Sequence, residues 1–397
     1  MNFTSAIKFF IKDSRSVGTL LVWFTVFSLV VSNGPFAHSY ATFFGYNFLH
    51  IGSDVHLPVS LLHIINDMLM AVFFFSAGME IKREIRVGEL NTFKKAMMPV
   101  ISATGGMLFP ALIYLAFSQS GDYKGWGIPM ATDIAFSLGV LSLLGRRAPL
   151  SMRVFLTAIA VIDDIGGILA IAIFYTGTLH LLYLFLAALV TAVLLLLNYL
   201  KITRISVYII LGIVLWYFVY RSGVHATIAG VILALCIPLT LIERLEHALH
   251  IPVNFFILPL FALANTAITL PAGIFSAIAS PVHTAVFAGL VLGKPLGIFL
   301  FTYAAFKLKI ASIPDHLSLK HILGVGIIAG VGFTVSIFIA MLAFTDEHTQ
   351  LISKIAVINA SVFSGIVGYL YLRFTTRKKR GPSTAKKNGL TEAKPFS

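Results

Sequence analysis

Two adjacent carboxylates, Asp163 and Asp164, stand in the otherwise apolar run Ala158 to Thr176 (AIAVIDDIGGILAIAIFYT). An aspartate near the centre of a bilayer-spanning helix costs roughly 2.5 to 3.5 kcal/mol, so the pair demands a counter-charge, a water-filled cavity, a bound cation or protonation. The chemistry that suits these residue types is the handling of a cation or a proton. Lys294 lies almost midway along TAVFAGLVLGKPLGIFLFTYAAF, too deep for its ammonium to reach either interface comfortably, and it needs an acidic partner inside the protein. Asp163 or Asp164 supplies one. Neighbouring helical residues point about 100° apart, so one carboxylate faces the lysine and the other a water path. A purely structural ion pair is the alternative role for Lys294. Asp133, next to Thr132 and close to Pro129, is a further acidic residue in an apolar stretch.

The elements that hold these residues follow from composition. The 397 residues are 58% hydrophobic and 11% charged, whereas a soluble domain carries about a quarter charged residues. Apolar segments long enough to cross a bilayer fall near 17–34, 58–79, 97–117, 124–145, 154–176, 180–200, 205–220, 224–240, 253–270, 284–306, 322–344 and 353–372. The expected fold is an all-α integral membrane protein of twelve spans with both termini on one side. Residues 1–376 are expected to form the twelve-helix domain, and 377–397 (RKKRGPSTAKKNGLTEAKPFS) a basic, disordered tail suited to anionic lipid headgroups.

The net charge of +13 reports orientation rather than nucleic acid, because the basic residues sit in short clusters between apolar runs. Of the 29 Lys and Arg, all but Lys124, Arg221, Lys354 and the intramembrane Lys294 fall on the side that holds both termini. That side is expected to be cytoplasmic. A signal-peptide reading of the N-terminus would remove the first span and break the even count. The single cysteine, Cys236, lies in an apolar run and builds no disulfide or metal motif.

The fourth span reads GWGIPMATDIAFSLGVLSLLG, with Pro129 and Asp133 in its first half. The eleventh reads HILGVGIIAGVGFTVSIFIAM, with Gly324, Gly326, Gly330 and Gly332. Both are breakable in mid-membrane, and their odd separation in the span order gives them opposite directions, as two inverted-topology repeats require. Helix–helix packing is the other use of such glycines. If the broken spans cross, half-helix ends of one sign face each other, and a nearby carboxylate or ammonium offsets them.

A carboxylate held away from water gains affinity for a proton, so a proton and a cation compete for one site. If only occupied states switch sides, exchange follows without a separate gate. An intramembrane aspartyl protease also needs two buried carboxylates, but that chemistry has no place for Lys294. A cation channel needs rings of ligands, and these charges are few and asymmetric. Another substrate on the same scaffold is the rival that composition leaves open. His225, in SGVHATIAG, reads first as a hydrogen-bonded packing residue and second as a pH-responsive group.

The segments ATDIAFSLGVLSLLG (131–145), FLTAIAVIDDIGGILAIAIFYT (155–176), SGVHATIAGVILA (222–234), RLEHALHIPVNFFILPLFALAN (244–265), GLVLGKPLGI (289–298) and GVGFTVSIFIA (330–340) closely resemble the bacterial NhaA-type sodium/proton antiporters. These are themselves a recognised example of inverted-repeat transporters with broken helices. The resemblance implies that Asp163 and Asp164 bind the cation and the proton and that Lys294 pairs with Asp163. It places Asp133 and Thr132 at the break of the fourth span. It further implies exchange of two protons per sodium or lithium ion, activity rising towards alkaline pH, no cofactor, a multi-pass bacterial inner-membrane location and a homodimer joined through the outer loop from Gly34 to Pro58. Asp67 with Glu80, Arg83 and Glu84, and Arg244 with Glu246, His247 and His250, match regions the family associates with charge and pH response. His247 and His250 beside Glu246 read equally as a solvated helix end.

Overall fold

The computed structural model describes residues 14–47, 60–88, 90–118, 122–270 and 273–376. Among these the elements are helical and no strand forms; one isolated bridge joins Asn47 to Ser60. The basic tail 377–397, Lys8, Lys12 and most of the loop before Ser60 lie outside the described residues.

In chain order the helices are α1 (Ser14–Ser32), α2 (Ala37–Gly45), α3 (Leu61–Arg86), α4 (Phe93–Phe117), α5 (Ile134–Ser142), α6 (Leu150–Phe174), α7 (Leu181–Tyr199), α8 (Ile205–Arg221), α9 (Ile228–Cys236), α10 (Leu239–Asn265), α11 (Ile274–Ile278), α12 (Pro281–Lys307), α13 (Leu319–Ala329), α14 (Phe333–Ala343) and α15 (Glu347–Thr375). Seven of them, α3, α4, α6, α7, α10, α12 and α15, are long and apolar enough to cross a membrane. Two bent pairs, α1 with α2 at 114° and α13 with α14 at 50°, raise the number to nine if each is one span. The other expected spans consist of shorter pieces. α8 has 17 residues, α9 has 9, and the fourth segment is a 3₁₀ turn, Tyr123–Met130, followed by α5.

The helix expected over 253–270 begins much earlier. α10 runs unbroken from Leu239 through the charged stretch around Arg244 and through Pro252. The missing N–H of Pro252 is absorbed by a π turn over Val253–Ile257. α12 does the same upstream of Pro295, with a π turn over Gly289–Gly293 that ends at Lys294. The two glycines bounding that turn are required by close packing: a Cβ on Gly293 would stand 2.7 Å from Pro110 Cα, and one on Gly289 2.7 Å from Pro129 Cβ. Further along, α4 and α12 approach until a Cβ on Gly105 would overlap the carbonyl of Gly297, and the reverse. A 2.6 Å hydrogen bond between Ser102 and Thr302 locks the same contact.

Candidate functional site

The site is assembled where the chain stops being helical. After the 3₁₀ turn that contains Pro129, Ala131 and Asp133 are extended, and α5 starts at Ile134. Opposite, Gly330–Gly332 separates α13 from α14. The two breaks touch, with Asp133 N donating to Val331 O at 2.7 Å. Unpaired backbone groups away from water are expensive, and here side chains satisfy them reciprocally. Thr132 donates to Ala329 O at 3.0 Å and Ser137 to Ile328 O at 3.3 Å, while Ser336 donates to Ile128 O at 2.7 Å.

Asp133, 3% exposed, caps two helices at once. Its Oδ1 accepts from Phe136 N at 2.9 Å at the start of α5. Its Oδ2 accepts from Thr334 N at 3.1 Å and from Thr334 Oγ1 at 2.6 Å at the start of α14. A carboxylate thus faces two positive helix ends.

Both α6 carboxylates are buried, Asp163 at 0% and Asp164 at 7% exposure. Asp163 Oδ2 lies 2.9 Å from Lys294 Nζ and accepts from Thr132 Oγ1 at 2.8 Å. Lys294, wholly buried, also donates to the carbonyl of Met130 at the end of the 3₁₀ turn. Asp163 Oδ1 and Asp164 Oδ1 are buried without a hydrogen-bond partner among the described residues.

Asp164 looks into a cavity of 370 Å³. Thr132, Asp133 and Thr334 share its floor with Asp164, while Glu80 and Arg83 of α3 and Glu246, His250 and Asn254 of α10 line it further out. Arg83 bridges the two helices, 3.1 Å from Glu246 and 3.3 Å from Glu84. The structure therefore gathers Asp163, Asp164, Lys294, Thr132 and Asp133 at one place and Glu80, Arg83, Glu246 and His250 along its access. His247 and Arg244 are not among the lining residues. Asp67 does not join Glu80 and Arg83: it sits at the other end of α3, 3.7 Å from His225. That histidine bonds Thr227 at 3.0 Å and packs edge-on against Phe338. Thr334, Asn254, Ser76 and the Met130 carbonyl were not singled out from sequence; a threonine in an apolar helix and a backbone carbonyl carry no signature of their own.

The family model described as Na+/H+ antiporter 1 matches residues 8–372. The chain belongs to this Na+/H+ antiporter family. Among its relatives, the Na(+)/H(+) antiporter NhaA of Flavobacterium psychrophilum is 46% identical over 384 residues, covering 95% of this chain and 98% of the relative. That of Proteus mirabilis is 44% identical over 380 residues, covering 93% and 97%. NhaA 2 of Flavobacterium johnsoniae is 43% identical over 379 residues, covering 94% and 93%. Family membership together with the long apolar helices makes this antiporter-family chain a multi-pass membrane protein and a transporter.

Proposed function

We propose that this chain exchanges cytoplasmic Na+ or Li+ for external H+ by alternating access around Asp163 and Asp164, with two protons entering per cation. The observation that carries the proposal is the pair of unpartnered buried carboxylate oxygens among the described residues, Asp163 Oδ1 and Asp164 Oδ1, at and beside the cavity that Asp164, Asp133 and Glu80 line. A hard monovalent cation prefers oxygen ligands, and these oxygens together with the Thr132 hydroxyl offer them. Protons compete for the same oxygens, so either occupant excludes the other.

Lys294 supplies the second proton. A cation that takes Asp163 leaves the buried ammonium without its carboxylate, which favours release of its proton. The 2.9 Å pair and the second acceptor at Met130 support this reading. In the architecture that goes with it, residues 1–376 form twelve spans of inverted topology with the fourth and eleventh discontinuous, as in the NhaA antiporters that define this class. Both termini are cytoplasmic in an inner membrane, the 377–397 tail is peripheral to transport, no cofactor is needed, and the chain is a homodimer. Activity rises towards alkaline pH, with Glu80, Arg83, Glu84, Glu246, His247 and His250 as the responsive cluster; the Arg83 bridge between α3 and α10 supports this.

The test is dequenching of a pH-sensitive dye in everted vesicles acidified by respiration, with sodium, lithium and then potassium added over a range of pH. Sodium- and lithium-evoked dequenching that rises with pH and is lost in Asp163→Asn and Asp164→Asn is the expected result. Folded wild type that answers neither ion would return the cargo to another substrate on the same scaffold.

A further inference from the structure

A second opening, sharing no residue with the polar cavity, lies between α12 and α15: a groove of 570 Å³. The two helices run parallel along it, because His283 pairs with Asn359 at 3.2 Å and, one turn further on each helix, Phe287 packs against Phe363 at 5.8 Å between ring centroids. The groove therefore changes character along one direction. His283, Thr284 and Asn359 form a polar end, closed by Ile278 of α11, and Phe287, Phe363 and Ile366 form an apolar end.

The polar end is built rather than incidental. His283 is 5% exposed and stacks on Phe287. The Asn359 amide donates to its Nε2, which puts the ring hydrogen on Nδ1. That N–H makes no hydrogen bond to a described residue. Among the described residues neither cationic nor anionic side chains line the groove, so its complement is a neutral acceptor next to a long apolar group. The apolar rim is open to the bilayer: Val362 is 51% and Ile366 56% exposed, on helices of a membrane-spanning protein.

We propose that this groove binds one phospholipid, with a glycerol ester carbonyl accepting from His283 Nδ1 and an acyl chain lying along Phe287, Val362, Phe363 and Ile366. The ester matches the uncharged polar end, whereas a free fatty acid would bring a carboxylate to a site where the described residues offer no cation to receive it. Under the proposed topology, on which the choice of leaflet alone rests, α12 and α15 both run inward from the outer face and the lipid belongs to the outer leaflet.

The experiment places full-length protein in vesicles of phosphatidylethanolamine and phosphatidylglycerol containing a phosphatidylethanolamine with a diazirine on one acyl chain. Photolysis is followed by mapping of the labelled residues. Labelling at Phe287 and across Val362 to Ile366 is expected at about tenfold the level on α7, a helix broadly exposed to lipid without a groove, and unlabelled lipid should compete it away. Val362→Trp, at a half-exposed position on the groove wall, should fill the groove and abolish the label with the melting temperature unchanged, and His283→Leu should reduce it. The proposal is overturned by labelling no higher than on α7, by labelling that survives Val362→Trp, by a diazirine fatty acid labelling as strongly as the phospholipid, or by crosslinks to a second copy of the chain.

Discussion

Three buried aspartates stand within one small region, and they divide into two kinds. Around Asp133 both carboxylate oxygens are engaged, by two backbone N–H groups and one hydroxyl. Around Asp163 and Asp164 one oxygen of each residue is buried and unpartnered. Equal burial thus hides different roles. A carboxylate whose hydrogen-bonding capacity is filled by the fold is part of the fold, and one whose capacity is left open is available to a ligand. Asp133 belongs to the first kind because it caps both helix starts, and the break at Gly330–Gly332 brings no acidic side chain of its own.

The largest expected effect tests the open pair. Asp164→Asn should abolish sodium-evoked exchange in everted vesicles while the purified protein keeps its melting temperature to within a few degrees; Asp163→Asn should abolish it as well and, because it strands the buried Lys294 ammonium, should also lose about 3 to 5 kcal/mol. Lys294→Ala should follow: stranding Asp163 beside an unfilled buried position costs about 3 to 5 kcal/mol, read as a lowered melting temperature. Lys294→Gln should change the proton-to-sodium ratio measured from reversal potentials, and an unchanged ratio would remove the lysine from the proton count. Asp133→Ala should invert the pattern of Asp164→Asn, with a loss of about 2 kcal/mol from the lost caps and exchange surviving in the folded fraction. A variant that melts normally yet does not exchange would erase the distinction between the two kinds. Thr334→Val, which removes one hydroxyl from Asp133, should cost about 1 kcal/mol.

The smallest effect lies outside the spans. Asp346 caps α15 through Thr349 N and Oγ1, both at 2.8 Å, and these bonds hold its carboxyl below the usual carboxylate range. Because the folded value is the lower one, the cap's contribution is complete above the ordinary carboxyl value and is lost as pH falls through the depressed one. Melting of Asp346→Asn should therefore be less acid-sensitive than wild type at the bottom of the pH range, with the two curves parallel near neutrality.

Much of this region was legible in the sequence because charge in an apolar run is a loud signal. Asp163, Asp164, Lys294 and Asp133 stand out on that ground alone, and Pro129 and the Gly330–Gly332 stretch marked the places where helix stops. What residue types could not convey was occupancy: Asp133 reads the same as Asp164 until its three donors are seen. Backbone acceptors leave no trace in a sequence, so the Met130 carbonyl that also holds Lys294 was invisible. Span boundaries failed where helix outruns hydrophobicity. α10 continues through Arg244 and His250 because a helix end that projects beyond the apolar layer tolerates charge on any face. Asp67 and Glu80, grouped by their places in the sequence, sit at opposite ends of α3, since a helix rises about 1.5 Å per residue.

The contact between Gly105 and Gly297 has a consequence for which parts can move. With backbone against backbone there, α4 and α12 have no slack to slide, and Lys294 lies less than one turn from the pinned point. Its ammonium can part from Asp163 by rotation about its own side-chain bonds, not by travel of the helix that carries it. Under the proposed alternating access, α4 and α12 would therefore move as one body, and any helix that shifts would do so against them.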